Sequence, residues 1–123
     1  MSKAAVSIFV FSIYMFVLGI VLLAFPNFLL GLFGIPETTE VWVRVVGMLV
    51  LILGVYYFQA ARNELAAFFI ASVLGRFSVL VFLTAFVLME MSPPSLIGFG
   101  LIDVAAASWT LIALKSDGFF ESE

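Results

Sequence analysis

Four long apolar runs constrain this chain more than any other feature of its sequence. They cover approximately residues 4–25, 41–62, 65–89 and 95–114. Each run has the length of about 20 residues that an α-helix needs to cross a hydrocarbon core about 30 Å thick. Lipid offers the backbone no hydrogen-bond partner, so a single segment of this length crosses it as a helix. The pattern predicts an all-α integral membrane four-helix bundle.

The composition indicates that lipid is the solvent of this bundle. Hydrophobic residues make up 65% of the 123 residues and charged residues only 11%, whereas soluble domains are roughly half apolar and a quarter charged. A water-soluble fold of this size could not bury so much apolar surface. Because four spans use most of the chain, we expect a single transmembrane domain over residues 1–123.

A short apolar segment, Asn27 to Ile35, separates the first and second runs. It is bounded by Pro26 and Pro36, contains two glycines, and is too short to cross the bilayer. We therefore expect it to lie in the membrane interface.

The polar connections predict the topology. The connection between the second and third runs is only Arg62-Asn63-Glu64, which predicts an antiparallel hairpin of these two helices. The first run is longer than the core of a typical signal peptide and lacks a small-x-small cleavage pattern, so we expect it to be retained. Both termini then share the side that holds Lys3, Arg62 and Lys115, and the positive-inside rule places that side in the cytoplasm.

Several function classes are disfavoured by what the sequence lacks. It contains no histidine and no cysteine, the usual ligands of zinc, haem and iron-sulfur centres, so no metal and no cofactor are expected. The net charge of −3 disfavours nucleic acid as a partner. Phosphate-binding loops and hydrolase motifs are also missing. The sequence therefore predicts no catalytic residues and favours a non-enzymatic protein.

Two charged residues fall inside the apolar runs. Arg76 lies about eleven residues into the third run and Asp103 about nine into the fourth, so both are predicted near the bilayer midplane. An isolated charge there costs at least about 2.5–3.5 kcal/mol, so we expect the two to pair directly or through water inside the bundle. Ser72 shares the helical stripe of Arg76, and Thr110 shares that of Asp103. The four residues form a structural contact that holds two helices in register, a ligand-binding site, or both.

Arg44 is a third candidate site residue, about one turn inside the second run. Glu40 precedes it by four residues, and Glu90 is expected at the same depth. We expect Arg44 to lie near one of these acids and to support packing and topology. The alternative is that it binds an anionic head group or ligand.

Small residues recur along the helices at spacings that permit close packing. Gly47 and Gly54 are seven residues apart in the second run, and Ala71 and Gly75 are four apart in the third. Such residues let helices approach closely in lipid, where the hydrophobic effect does not drive helix association. They predict helix–helix contacts rather than chemistry.

Several segments together resemble a group of small bacterial membrane proteins. They are Pro26–Pro36, Val41–Gly47, Gly54–Tyr57, Ala60–Arg62, Gly75-Arg76, Ile102-Asp103 and Trp109–Leu114. That group is broadly similar in architecture to the DoxX-like families, and the resemblance implies a four-span protein of the bacterial inner membrane. The group carries no established activity, so the resemblance leaves the function open.

Two functions remain as hypotheses. The first is a small non-enzymatic protein that binds a lipid or lipophilic ligand, or supports a membrane assembly, through Arg76, Asp103 and Arg44. The second is a dimeric proton- or ion-coupled transporter that uses Asp103. Small multidrug transporters have a similar length, but their pattern places a glutamate in the first helix, and residues 6–25 here contain no ionisable acid or base apart from Tyr14. Membrane lipids are the expected partners, and a homo-oligomer is compatible with either function.

Overall fold

The computed structural model describes residues 1–120, and in this range the chain is built from helices. Five α-helices follow one another along the chain, with a 3-10 turn at Pro94–Leu96 directly before the last of them. They are α1 (Lys3–Ala24), α2 (Pro26–Leu32), α3 (Trp42–Arg62), α4 (Ala66–Leu88) and α5 (Ile97–Ser116).

The four long helices confirm the predicted four-helix bundle. α1, α3, α4 and the segment Pro94–Ser116 are each long and apolar enough to cross a membrane. Their ends lie within two residues of the predicted runs, because proline or a cluster of charged residues ends each run. Many large apolar side chains on their outer faces are exposed, such as Leu74, Val81 and Ile112. In a membrane protein these faces contact lipid.

The short segment between α1 and α3 forms α2 and a following turn. Seven helical residues span only about 10 Å, so α2 cannot cross a bilayer. The Asn27 side chain fastens the returning chain, because it donates to the Thr38 carbonyl at 3.0 Å and accepts from the Thr38 N–H at 2.9 Å. Phe33 stacks on Phe99 of α5, with ring centroids 4.3 Å apart. α2 thus folds over one end of the bundle.

The helices that pack most extensively against each other are not the two that the short hinge joins. α1 packs extensively against α3 and also against α5, and α4 packs against α5. α3 and α4 are antiparallel neighbours in sequence, as predicted, but they make few contacts with each other. One of these is an edge-to-face contact between Tyr57 and Phe68 beside the hinge. α3 and α4 thus form the predicted antiparallel hairpin by connection and direction, but α3 packs mainly against α1 and α4 mainly against α5.

Glycines allow a close approach between α1 and α3. A Cβ atom on Gly47 would lie 2.7 Å from Leu22 Cβ, and one on Gly19 would lie 2.9 Å from the Gly47 carbonyl oxygen. A Cβ on Gly54 would lie 2.9 Å from the Phe16 ring. These distances agree with the close packing predicted for Gly47 and Gly54. Gly75 behaves differently, since a Cβ there would meet nothing within 4 Å.

The beginning of α1 is hydrogen-bonded to the α3–α4 hinge and to the residue after α5. We call this end of the bundle, where Ser2, Glu64 and Asp117 lie, the terminal end. Glu64, in the α3–α4 hinge, accepts hydrogen bonds from the Ser2 hydroxyl and the Ser2 backbone N–H, both at 2.7 Å. Asp117, just after α5, accepts from the backbone N–H groups of Lys3 and Ala4 at 3.3 and 2.9 Å. The hydrogen bond from the Ser2 hydroxyl holds the pKa of Glu64 below its ordinary value, and the bond from the Ser2 backbone N–H contributes further. α2 lies at the opposite end.

Candidate ligand-binding cavity

A cavity of about 600 Å³ lies between the helices and is partly open to the outside. Every helix contributes to its wall, which is almost entirely apolar and aromatic. Its lining is Phe11, Tyr14, Met15, Leu18, Leu22, Leu29, Leu30, Phe33, Ile35, Val43, Val46, Val50, Leu53, Tyr57, Gly75, Arg76, Val79, Leu83, Leu96, Phe99 and Asp103. The volume is in the range of about 300–1,000 Å³ that is typical of small-molecule sites.

The cavity exists because α3 and α4 do not pack against each other along most of their length. Val43, Val46 and Val50 line it from α3, and Val79 and Leu83 from α4. Gly75 belongs to this wall, which explains why no atom lies near the position of its missing side chain. α2 and the turn after it cover the end of the cavity that lies opposite the terminal end.

Arg76 is buried at this wall and is bound to hydroxyl groups of two helices. Only 3% of the residue is exposed. Its Nη2 donates to Ser72 Oγ at 3.0 Å and to Thr110 Oγ1 at 2.9 Å, and its Nε donates to the Ser72 carbonyl at 3.2 Å. The predicted site residues Ser72 and Thr110 therefore do lie together with Arg76, although neither lines the cavity itself.

The hydroxyl cluster extends to α1 through Ser7. Ser7 Oγ and Thr110 Oγ1 are hydrogen-bonded at 2.7 Å, and Ser7 Oγ lies within hydrogen-bond distance of the Ala4 carbonyl oxygen, also at 2.7 Å. Both Ser7 and Thr110 are almost completely buried. Three helices, α1, α4 and α5, are thus joined around one guanidinium group.

Two aromatic rings cover the guanidinium group of Arg76. Its Cζ lies 4.9 Å from the centroid of the Phe11 ring and 5.9 Å from that of Tyr57. The remaining nitrogen, Nη1, has no hydrogen-bond partner in the described part of the chain and is fully covered. The negative faces of the rings offset part of the cost of burying this charge.

Asp103 lines the same cavity but does not bind Arg76. The hydrogen bonds of Arg76 go to Ser72 and Thr110, so residues 1–120 contain no direct Arg76–Asp103 pair, which was one of the two forms of pairing predicted. The reason is direction: a helical side chain leans toward the N-terminus of its own helix. α4 and α5 are antiparallel, so Arg76 leans toward the terminal end and Asp103 toward the opposite end. Thr110, which Arg76 reaches, is about 10 Å along α5 from Asp103.

Arg44 does not line the cavity. It is exposed, and its Nη1 donates to the carbonyl of Leu23 at the end of α1. Within residues 1–120 its hydrogen bond goes to this carbonyl, and it makes none to Glu40 or Glu90. Pro26 has no N–H and the chain bends into α2, which leaves carbonyls at the end of α1 without helical partners. A cation is a favourable partner for such a carbonyl.

Ser7 and the aromatic cover are the parts of the site that sequence reasoning missed. Ala4, Ser7, Phe11 and Met15 recur every three or four residues and form the buried stripe of α1. That spacing could have placed Ser7 and Phe11 on one face, but it does not reveal which helix this face meets.

The site contains few groups that could bind a metal ion. The described residues contain no group of three or more acidic side chains close enough to hold one. Arg76 and Asp103 are the charged side chains of the cavity wall, and Tyr14 and Tyr57 contribute its phenolic hydroxyls. The arrangement suits an apolar molecule that carries a small polar group.

Comparison of the chain with protein-family models, with curated proteins and with solved structures finds no match.

Proposed function

We propose that this protein is a small, non-enzymatic membrane protein that binds a lipid or another lipophilic molecule in the cavity between α3 and α4. The observation that supports this most directly is the cavity itself. It is lined by apolar and aromatic side chains from all five helices, with two charged residues in its wall. Natural binding sites for small molecules have this combination of an apolar wall and a few polar groups that orient the ligand.

The packing of the helices supports an entrance from the lipid. α3 and α4 make few contacts beyond the hinge, so the gap between them is the side on which a membrane-dissolved molecule would enter. Entry from this side does not require the ligand to cross a polar layer. α2 closes the adjacent end of the cavity, where Leu29, Leu30 and Phe33 lie on its wall.

A cavity-filling variant tests this proposal. Gly75→Phe places a ring in the cavity without a clash at Cβ, and it should abolish copurification of a lipophilic molecule detected by native mass spectrometry. Gly31→Phe is the matched control, because Gly31 also has open space around it but does not line the cavity. If the wild-type protein carries no lipophilic molecule, or if both variants retain it equally, the proposal fails.

A second candidate function is ion- or proton-coupled transport through Asp103. Asp103 is half-buried in the cavity wall, and its carboxylate accepts no hydrogen bond from residues 1–120. Carboxylates in such surroundings serve as coupling sites in transporters. Transport predicts that Asp103→Asn stops ligand flux in proteoliposomes, whereas a binding protein would produce no flux in the wild type.

We also propose a bacterial inner membrane location with both termini in the cytoplasm. Ser2 and Asp117 both lie at the terminal end, and the basic residues Lys3, Arg62 and Lys115 favour the cytoplasm for that end. A reporter fused after Asp117 should be active in the cytoplasm. A periplasmic signal would reverse the orientation.

A further inference from the structure

The two charged side chains of the cavity differ in whether a ligand can reach them. Arg76 is 3% exposed, and its guanidinium group lies under the Phe11 and Tyr57 rings. Two of its nitrogens are already bonded to Ser72 and Thr110, and the third has less than 1 Å² of accessible surface. A ligand could bind Arg76 only after the aromatic cover had moved.

Asp103, in contrast to Arg76, has a side chain that a ligand in the cavity can reach. Its carboxylate accepts no hydrogen bond within the described chain, and its oxygens are not among the fully covered atoms without a partner. These oxygens therefore keep accessible surface, and the residue lines the cavity. A carboxylate that is ionised accepts hydrogen bonds and attracts cations. The charged group that this cavity offers to a ligand is therefore a carboxyl group, which is an acceptor and an anion when ionised.

The walls around Asp103 suit a cation with an apolar chain. Tyr14, Phe33 and Phe99 contribute aromatic side chains to the same cavity, and the faces of such rings attract ammonium groups. The volume of about 600 Å³ holds roughly 20 non-hydrogen atoms, if each takes the ~30 Å³ of a water molecule in the liquid. That is the size of one alkyl chain with a small head group, and it is too small for a phospholipid with two acyl chains.

We propose that the ligand is a single-chain lipophilic cation, an alkyl amine or alkyl ammonium, whose head group binds Asp103. This inference rests on the proposed function, because it names the chemical class of the molecule that occupies the cavity. Arg76 then has a positioning role: it joins α1, α4 and α5 on one side of the cavity and leaves Asp103 as the group that contacts the ligand.

Binding of three probes with the same chain tests the charge of the head group. Radiolabelled dodecyltrimethylammonium is bound to the protein in maltoside micelles, with protein-free micelles as background. Unlabelled dodecanoate and dodecanol serve as competitors. We expect saturable binding of the cation that dodecanoate does not displace. Asp103→Asn should weaken it at least about tenfold, because loss of one partner of a buried charge pair usually costs more than the ~1.4 kcal/mol that corresponds to tenfold.

Glu40→Gln provides the matched control, since it removes an exposed carboxylate that does not line the cavity. It should leave binding of the cation unchanged. If dodecanoate binds more tightly than the cation, or if Asp103→Asn and Glu40→Gln have the same effect, the inference is wrong while the proposed function stands. If none of the three probes binds, the inference and the proposed function both fail for single-chain ligands. Asp103→Glu should retain binding if the loss in Asp103→Asn reflects charge rather than misfolding.

Discussion

At the scale of single residues, Arg76 shows both the strength and the limit of the depth argument. The position of Arg76 in an apolar run correctly predicted that it would be buried inside the bundle, because an unpaired charge facing lipid is costly. The position of Arg76 along the chain did not identify its partners. Those depend on the direction in which the side chain leans and on Thr110, which in turn contacts Ser7 of α1, a helix that no sequence pattern placed beside α5.

Thr110→Val tests the role of the hydroxyl cluster with almost no change in volume. It removes one of the two acceptors of Arg76 Nη2, leaving Ser72, and it removes the hydroxyl contact with Ser7. Because hydrogen bonds to charged groups contribute about 1.5–3 kcal/mol, we expect the free energy of unfolding in detergent micelles to fall by about 1–3 kcal/mol.

Thr84→Val is the matched control for this substitution. Thr84 is half-buried on α4, and its side chain makes no hydrogen bond within residues 1–120. Its replacement should change the free energy of unfolding by no more than about 0.5 kcal/mol. Equal losses in the two variants would show that Arg76 does not depend on Thr110.

At the scale of helices, the sequence predicted where each helix begins and ends far better than which helices are neighbours. Ends follow from local chemistry, as at Pro26 or at the Arg62–Glu64 hinge, so they can be read along the chain. Which helices pack against each other depends on how well their whole faces fit together. The glycines of α3 predicted a close contact, but the partner glycine on α1, Gly19, was not recognised. Gly75 has the same residue type as Gly47 and instead borders the cavity.

Two glycine-to-alanine substitutions separate these roles. Alanine stabilises an exposed helix interior by up to about 1 kcal/mol relative to glycine, and both positions receive this gain. At Gly75 the new methyl group meets no atom within 4 Å, so Gly75→Ala should be neutral or stabilising. At Gly47 it would lie 2.7 Å from Leu22 Cβ, and overpacking of this kind costs about 1–3 kcal/mol. Unfolding in detergent micelles should rank Gly47→Ala below the wild type; the reverse order would refute the packing described for α1 and α3.

At the scale of the whole molecule, the bundle is held together differently at its two ends. The terminal end is joined by polar contacts from Glu64 and Asp117 to the start of α1. The opposite end is covered by α2, with Phe33 on Phe99 and a hydrogen bond from the Ser95 hydroxyl to the Phe33 carbonyl. The cavity lies between them. Neither the cavity nor the contacts of Ser2 with Glu64 could be predicted from the sequence, because both depend on the arrangement of α1 relative to α3 and α4.

The contact between Ser2 and Glu64 makes the stability of this end depend on pH. The hydrogen bonds from Ser2 lower the pKa of Glu64 in the folded protein below its ordinary value of 4.5. The contribution of Glu64 to stability is therefore present above pH 4.5 and is lost as the pH falls through the lower pKa of the folded state. Glu64→Gln removes this contribution, so the variant should have a lower Tm than the wild type at pH 7, and the gap should narrow on acidification below pH 4.5. The effect should be small, because Glu64 is exposed to solvent.

Ser2→Ala provides the control: when the Ser2 hydroxyl is absent, Glu64→Gln should change Tm less than it does in the wild type. A constant gap across the pH range, or the same effect of Glu64→Gln with and without the Ser2 hydroxyl, would show that this contact does not hold α1 to the α3–α4 hinge.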